Sequence, residues 1–532
     1  MPLPPGQAIF PLTIAGGLAT EYGPRAPTTL DNDGRVVVPY LLFADNAAWS
    51  FDGWPKKMPG ATRVNTTTTG ATDAVMGIFD HWRQGTAGTQ VQKRVIYAGT
   101  AIYKDDADGV WDSLATGLEA NMMPWAAGMN DVLVLASTSN TDVPQRYNQT
   151  NIANLGGTPP NFAFHVEHKD RMFAAGVVAN PSRLYYTALG LHEDWVGTGS
   201  GSIDIFSDDG DRITGLWSMK DELLIFKGPN HGSIYRLIGS SPTGAQAFQL
   251  VPFLRGVGCT SQQSIVAMRE DLLWWDQNGI HSLRATAAFG DYALGFVSAP
   301  IASLFRDELN HSRFGFVWGQ AFVAEGYVLW TVSQTGATTN NLVLMLDFRF
   351  TPPRFSRWPA YQMASIGMVL DGTRGRIPWF GSYTGFVCRG NSTTPTVNTL
   401  AYTTRVQFPY LSFGDPFYDK GVLHGRIAFR PKADTDFTVS YRRDENVLQT
   451  ATIAQAGTVI TLGDAAAPVA ATDFMLDVDL LDSSLLRHEF FDMEGTFKDL
   501  QLELGDVVSA FEPHDLAILV EQRGMAFVTP PG

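Results

Sequence analysis

Cysteine is almost missing from this chain of 532 residues: Cys259 and Cys388 are the only two, far apart in sequence. That excludes a disulfide framework and removes any sign of an oxidising compartment, so both read as small buried hydrophobes. Long apolar runs are missing as well. No stretch approaches the roughly 18 apolar residues of a membrane span, and the opening "MPLPPGQAIFPLTIAGGLAT" has neither the basic start nor the sustained apolar core of a secretory leader. A cytoplasmic site of folding is expected, which makes the sequons at Asn65, Asn148 and Asn391 chance matches. Positive charge is scarce, with 38 Lys+Arg against 53 Asp+Glu and a formal charge of −15. From residue 396 onward the count is 10 Lys+Arg against 20 Asp+Glu, or 10 − 20 = −10. Tight phosphate binding needs clustered cations that release counterions, so firm nucleic-acid binding is excluded. Passage of a polyanion without adhesion is not.

Catalytic signatures are also lacking. There is no Gly-x-Ser-x-Gly elbow and no P-loop. The propeller-sialidase pattern Ser-x-Asp-x-Gly-x-x-Trp fails in "DDADGVW", where Asp and Gly are adjacent. Acidic clusters occur at Asp31 and Asp33, at Asp105, Asp106 and Asp108, and at Asp208, Asp209 and Asp211. Each fails as a calcium loop at its first position, filled by Thr29, Lys104 and Ile205, and reads as turn chemistry. His165 and His168 are three apart in a stretch expected to be a strand, where they face opposite ways and cannot chelate one ion. The reading is therefore a protein that is not an enzyme, with no catalytic residue, no metal site and no cofactor.

What is abundant is turn chemistry: 52 Gly and 30 Pro spread along the chain point to many short strands and little helix. The stretch "DLLWWDQNGIHSL", 271 to 283, reads as a hairpin in which Asn278-Gly279 supplies the positive φ of a tight turn. The same pattern recurs. Aligning the first apolar residue of each central strand gives Val95, Leu133, Met172, Leu224, Leu273, Leu329 and Ile377, with spacings of 38, 39, 52, 49, 56 and 48. Those periods suit four-stranded propeller blades, whose sheets bury one another's faces. The polar turns "MNDV", "HKDR", "MKDE" and "MRED" fall at one place in their units. Adjacent Trp274 and Trp275 then face opposite neighbours as core, rather than forming a ligand platform with Trp195, Trp330, Trp358 and Trp379.

The expected fold class is all-β: a β-propeller of about seven blades followed by an antiparallel β-sandwich. Residues 1–73 form an N-terminal arm in which "RVVVPYLLF", 35 to 43, closes the ring; 74–395 form the propeller; 396–532 form the acidic sandwich. The polar stretches 61–74 and 139–161 are candidates for ordering only on assembly.

The N-terminal segments "IAGGLATEYGPRAP" and "LLFADNAAWSFDGWPKKMPGATRVN" resemble a signature of tailed-bacteriophage virion proteins. Gly16, Gly17, Leu18, Asn46, Gly53, Lys56, Lys57, Pro59 and Gly60 carry it, with "KKMPG" standing where Arg-Pro-Gly is common. "NPSRLYYTALGLHEDW" and "GVGCTSQQSIV" with the Trp274, Trp275, Asn278 and Gly279 hairpin are similar to middle blades of the same group. The group most resembled is the propeller-based tail nozzle, or tubular tail protein, of short-tailed phages. That resemblance implies a head-to-tail virion component, assembled in the host cytoplasm as a homo-oligomeric ring of about six copies. Its partners would be portal or adaptor proteins and tail fibres or needle, with no membrane span. It would retain packaged double-stranded DNA and conduct it during ejection without specific binding. An acidic lumen suits a conduit for a polyanion, with Asp477, Asp479 and Asp482 as the candidate cluster. The alternative is a receptor-binding or tail-fibre adaptor propeller that recognises host surface glycans.

Overall fold

A short apolar run with alternate residues aimed at two different neighbours is the local solution that each repeat adopts. The computed structural model describes residues 7–70, 73–85, 88–105, 109–219, 221–269, 271–283, 297–372, 375–413, 418–431, 437–453, 487–506 and 511–525. In it, Val95, Leu133, Met172, Leu224, Leu273, Leu329 and Ile377 each lie in the second strand of an antiparallel set. Leu133 and Leu135 pack with Val95 and Tyr97 of the preceding sheet, while Val134 and Ala136 pack with Met172 and Ala174 of the next. Phe173 and Ala175 then meet Leu223 and Ile225, and Leu224 and Phe226 meet Leu272 and Trp274. The core thus lies between sheets. Each fully buried side chain of this kind stabilises by about 1.5–3 kcal/mol.

The chain is all-β in a propeller arrangement. Its details differ from seven equal blades. Four sheets are four-stranded, spanning 75–116, 124–154, 164–204 and 212–255, and the set at 266–282 has three strands. The next repeat supplies strands Trp318–Phe322, Tyr327–Val332 and Leu342–Asp347. The last, Met363–Asp371, Gly375–Ser382 and Val387–Ser392, is extended by Gly60–Arg63. Among the described residues helix is limited to short segments of three to six residues such as Gln262–Ser264 and His311–Phe316, and none is long and apolar enough to cross a membrane.

Two expectations are corrected. The ring-closing strand is not within 35 to 43. Val36–Val38 pairs in parallel with Gln7–Ile14, and Val36 and Val38 are fully buried there, so their side chains already have a core. Gly60–Arg63 closes instead, continued by Val64 N–H donating to Val387 O at 2.8 Å. The stretch 139–161 and the described part of 61–74 are formed: Gln145–Tyr147 and Ile152–Asn154 are blade strands, and Asn65 is buried and receives the Val387 N–H at 2.8 Å.

The chain divides into two compact units that do not follow contiguous boundaries at 73 and 395: one comprises 61–345 and 361–392, the other 1–60, 346–360 and 393–532. The second unit has two main sheets. One orders Thr29–Leu30, Val36–Val38, Gln7–Ile14, Phe511–Met525, Tyr418–Pro431 and Arg487–Asp492. The other runs from Arg354–Trp358 through Phe43–Asp45, Thr404–Gln407, Leu500–Asp506 and Phe437–Arg443 to Gln449–Ile453. Phe429 and Phe437, one from each sheet, meet edge to face at 5.2 Å. The expected C-terminal sandwich therefore differs in detail, because N-terminal strands complete its sheets.

Candidate functional site

The signature residues of the first sixty positions converge within the second unit. Gly17 sits where a Cβ would lie 2.7 Å from Phe355 N and 2.9 Å from Arg354 Cα, so only glycine admits that segment. Leu18 is buried and bridges Leu41. Asn46 holds three segments from a left-handed conformation (φ 51°): its Nδ2 donates to Thr403 O at 2.6 Å and its Oδ1 accepts from Ala360 N at 3.0 Å. Its backbone O accepts from Met58 N at 3.0 Å. Lys57 is buried, donates to Tyr402 O at 2.9 Å and lies 4.6 Å from the Tyr402 ring centre. Gly60 passes against the backbone of Thr394 and Thr396, and Gly16 against Pro39.

The sequence reading missed the cation at the centre of this knot. Arg354 donates to Gly53 O at 2.6 Å and to Ile14 O at 2.7 Å, with its guanidinium 4.1 Å from the Phe350 ring centre and 5.1 Å from that of Trp49. Burial pulls it down to about 10, partly opposed by Asp347. No motif announces it, since its partners are carbonyls from distant segments.

The described acids of these clusters are turn and pairing chemistry, while Asp106 and Asp108 lie outside the described residues. Asp31 Oδ1 accepts from Asp33 N at 2.9 Å and Arg35 N at 2.8 Å. Asp105 pairs with Arg94 at 3.0 Å. Asp209 receives the fully buried Lys227 ammonium at 2.6 Å, and Asp211 accepts backbone N–H groups of Asn230, His231 and Gly232 at 2.7, 3.0 and 2.8 Å. Asp477, Asp479 and Asp482 lie outside the described residues.

His165 and His168 lie on the strand Phe164–His168, and burial lowers both to about 4. Trp274 and Trp275 are fully buried and face different ways: Trp274 lies 5.6 Å from Phe226, and Trp275 is 4.7 Å from Phe305 and 6.1 Å from Trp330. The Asn278-Gly279 turn is a correction. Trp275 pairs with Ile280, leaving a four-residue loop in which Asn278 is not left-handed and Gly279 has φ 156°. Asp276 shapes it by accepting from Asn278 N at 3.3 Å and Gly258 N at 3.1 Å, a side-chain turn that replaces the positive-φ pair. Two-residue turns with both φ positive occur instead at Asn130-Asp131 and Lys169-Asp170, in the recurring polar positions.

Two cavities in the propeller unit, of about 310 and 350 Å3, are lined from first strands and inter-blade links of several repeats. Between them lies the turn Gln262–Ser264. Gln262 accepts from Leu216 N at 2.6 Å and donates to Leu216 O at 3.1 Å, and Gln263 donates to Pro124 O at 2.9 Å. Ser261 donates to Val317 O at 3.0 Å, and Ser264 O receives the Trp330 indole N–H at 3.2 Å. The turn leads into the repeat at 266–282 and bonds both neighbouring repeats and, through Gln263, the more distant one at 124–154. Gln263 borders both cavities, which makes it the partition. Each cavity has a single charged lining residue, Arg212 in one and Arg376 in the other.

No family model matches the sequence, and no curated protein matches it. Among solved structures the chain is similar to "YCF48 bound to D1 peptide", at 9% identity and a TM-score of 0.38 over 63% of this chain and 97% of that one. It is also similar to the N-terminal domain of Nup159, at 6% identity and a TM-score of 0.35 over 65% and 98% of the two chains. A third, BBS1N in complex with ARL6DN, matches at 9% identity and a TM-score of 0.27 over 59% and 77%.

Proposed function

We propose that this protein is a structural virion component of a tailed phage. In this reading copies assemble as a ring-shaped tail nozzle, with six as the expected number, below the portal and adaptor. The ring retains packaged DNA and conducts it on ejection. The observation that carries the reading is the use made of the virion-like signature: Gly17, Asn46, Gly53 and Lys57 all serve to lock segments 1–60, 346–360 and 393–532 into one unit. A signature spent on architecture suits a chain whose product is a shape. The excess of ten acidic over basic residues after position 396 supports a wall that repels a polyanion.

The Gln262–Ser264 turn refines the proposal. It ties its own repeat to neighbouring and distant repeats inside the propeller unit, so in this reading the DNA path runs between copies rather than through a blade ring. Immunogold electron microscopy of particles from the source lysate, with antibody against this chain, tests the reading. Label at a single vertex is the expected result. Chain left soluble with unlabelled particles overturns it, and glycan-array binding by that soluble chain would put a receptor-recognition role in its place.

A further inference from the structure

We propose that the 310 Å3 cavity of the propeller unit binds a small amphipathic carboxylate, with its apolar body against Val177 and Phe316, its carboxylate on Arg212 and a donor group on Gln263. The volume is that of a small-molecule site, for which roughly 300–1,000 Å3 is usual. The accessible apolar lining comes from half-buried Val177 and Phe316, with Ile213 and Phe164 in the inter-sheet core behind it and hydroxyl and amide side chains completing the wall. Among the lining residues Arg212 is the one charged side chain and no carboxylate is present. Its guanidinium has no ion pair or hydrogen bond among the described residues, and the residue is exposed at the rim. A free cation beside apolar walls selects an anion that carries hydrocarbon, because a hydrophilic anion gains nothing from the walls.

Gln263 supplies the second polar contact. It is 4% exposed and its Nε2 is committed to Pro124 O, whereas its Oε1 accepts from no described donor. That acceptor borders the cavity and calls for an N–H or O–H of the occupant. The ligand class is thus fixed at three points: apolar body, carboxylate and one donor. This inference is independent of the nozzle reading.

Indole-3-acetate has all three features and indole-3-acetamide lacks the charge, so the pair serves as probe and control in titration calorimetry on the full chain. Saturable binding of the acetate is expected, weakened about tenfold or more by R212A, which removes a charge-assisted bond. V178W, at a rim residue that is 60% exposed, should block entry to a similar degree without disturbing the core. Circular dichroism and melting of both variants establish that they are folded. Equal binding of the amide overturns the carboxylate assignment. No saturable binding of the acetate, or binding untouched by both variants, overturns the site.

Discussion

Arg354 shows how one side chain serves two carbonyls that nothing in the sequence relates. A lysine keeps the charge yet cannot present two parallel N–H groups or stack flat on Phe350, so R354K should destabilise the unit containing it and R354A more so. We expect a loss of about 3 kcal/mol for R354A, measured as faster amide exchange across 7–14 and 354–358. Unchanged exchange there would remove Arg354 from the knot. The buried histidines give a pH signature. Burial lowers His81, His165 and His168 to about 4, so folding favours their neutral forms. Their contribution is complete above the unfolded value near 6.5 and is lost as pH falls from there through 4. Thermal midpoints should drop across that window, and H165Q should flatten the drop; a profile indifferent to H165Q would deny that residue its part. At this scale the sequence was only half legible. Asp31 was readable because it acts on the backbone of Asp33 and Arg35, whereas Asp211 and Lys227 reach partners about twenty residues away, Arg354 reaches segments far more distant, and none of these leaves a local pattern.

Among the elements, the second strands were the most legible because both faces are buried and the apolar run is unbroken. The single turn Gln262–Ser264 was not, since "SQQS" looks like an ordinary polar loop and its role depends on which strands surround it. Replacing Gln262 by Leu removes the partners of the N–H and C=O of Leu216 at a buried position. Two such groups cost roughly 2–5 kcal/mol, and the loss should appear as exchange of amides in 212–228 while 7–14 stays protected. Equal loss in both places would mean that the turn does not act locally. The 276–279 loop teaches the complementary lesson: an Asn-Gly pair is a strong hairpin signal, and here Asp276 overrode it by offering its own carboxylate to the backbone.

For the whole molecule, spacing disclosed the repeat but not which strand closes it, because a three- or four-residue strand is too short to carry a period. The variant T62P removes a ladder donor from Gly60–Arg63 and should expose the edge at Val387–Ser392. Exchange across 363–392 is expected to rise about tenfold or more, with 164–204 unaffected; an unaltered 363–392 would show the ring closed without that strand. The pairing of Gln7–Ile14 with Phe511–Met525 carries a consequence in time. Gln7 faces Glu521, so the strand Gln7–Ile14 has no partner along that edge until about five hundred further residues have been made. At about 5–20 residues per second that wait is roughly half a minute to two minutes. The propeller repeats are synthesised wholly inside the interval, so an insertion, in order of birth, is complete before the unit that encloses it in sequence.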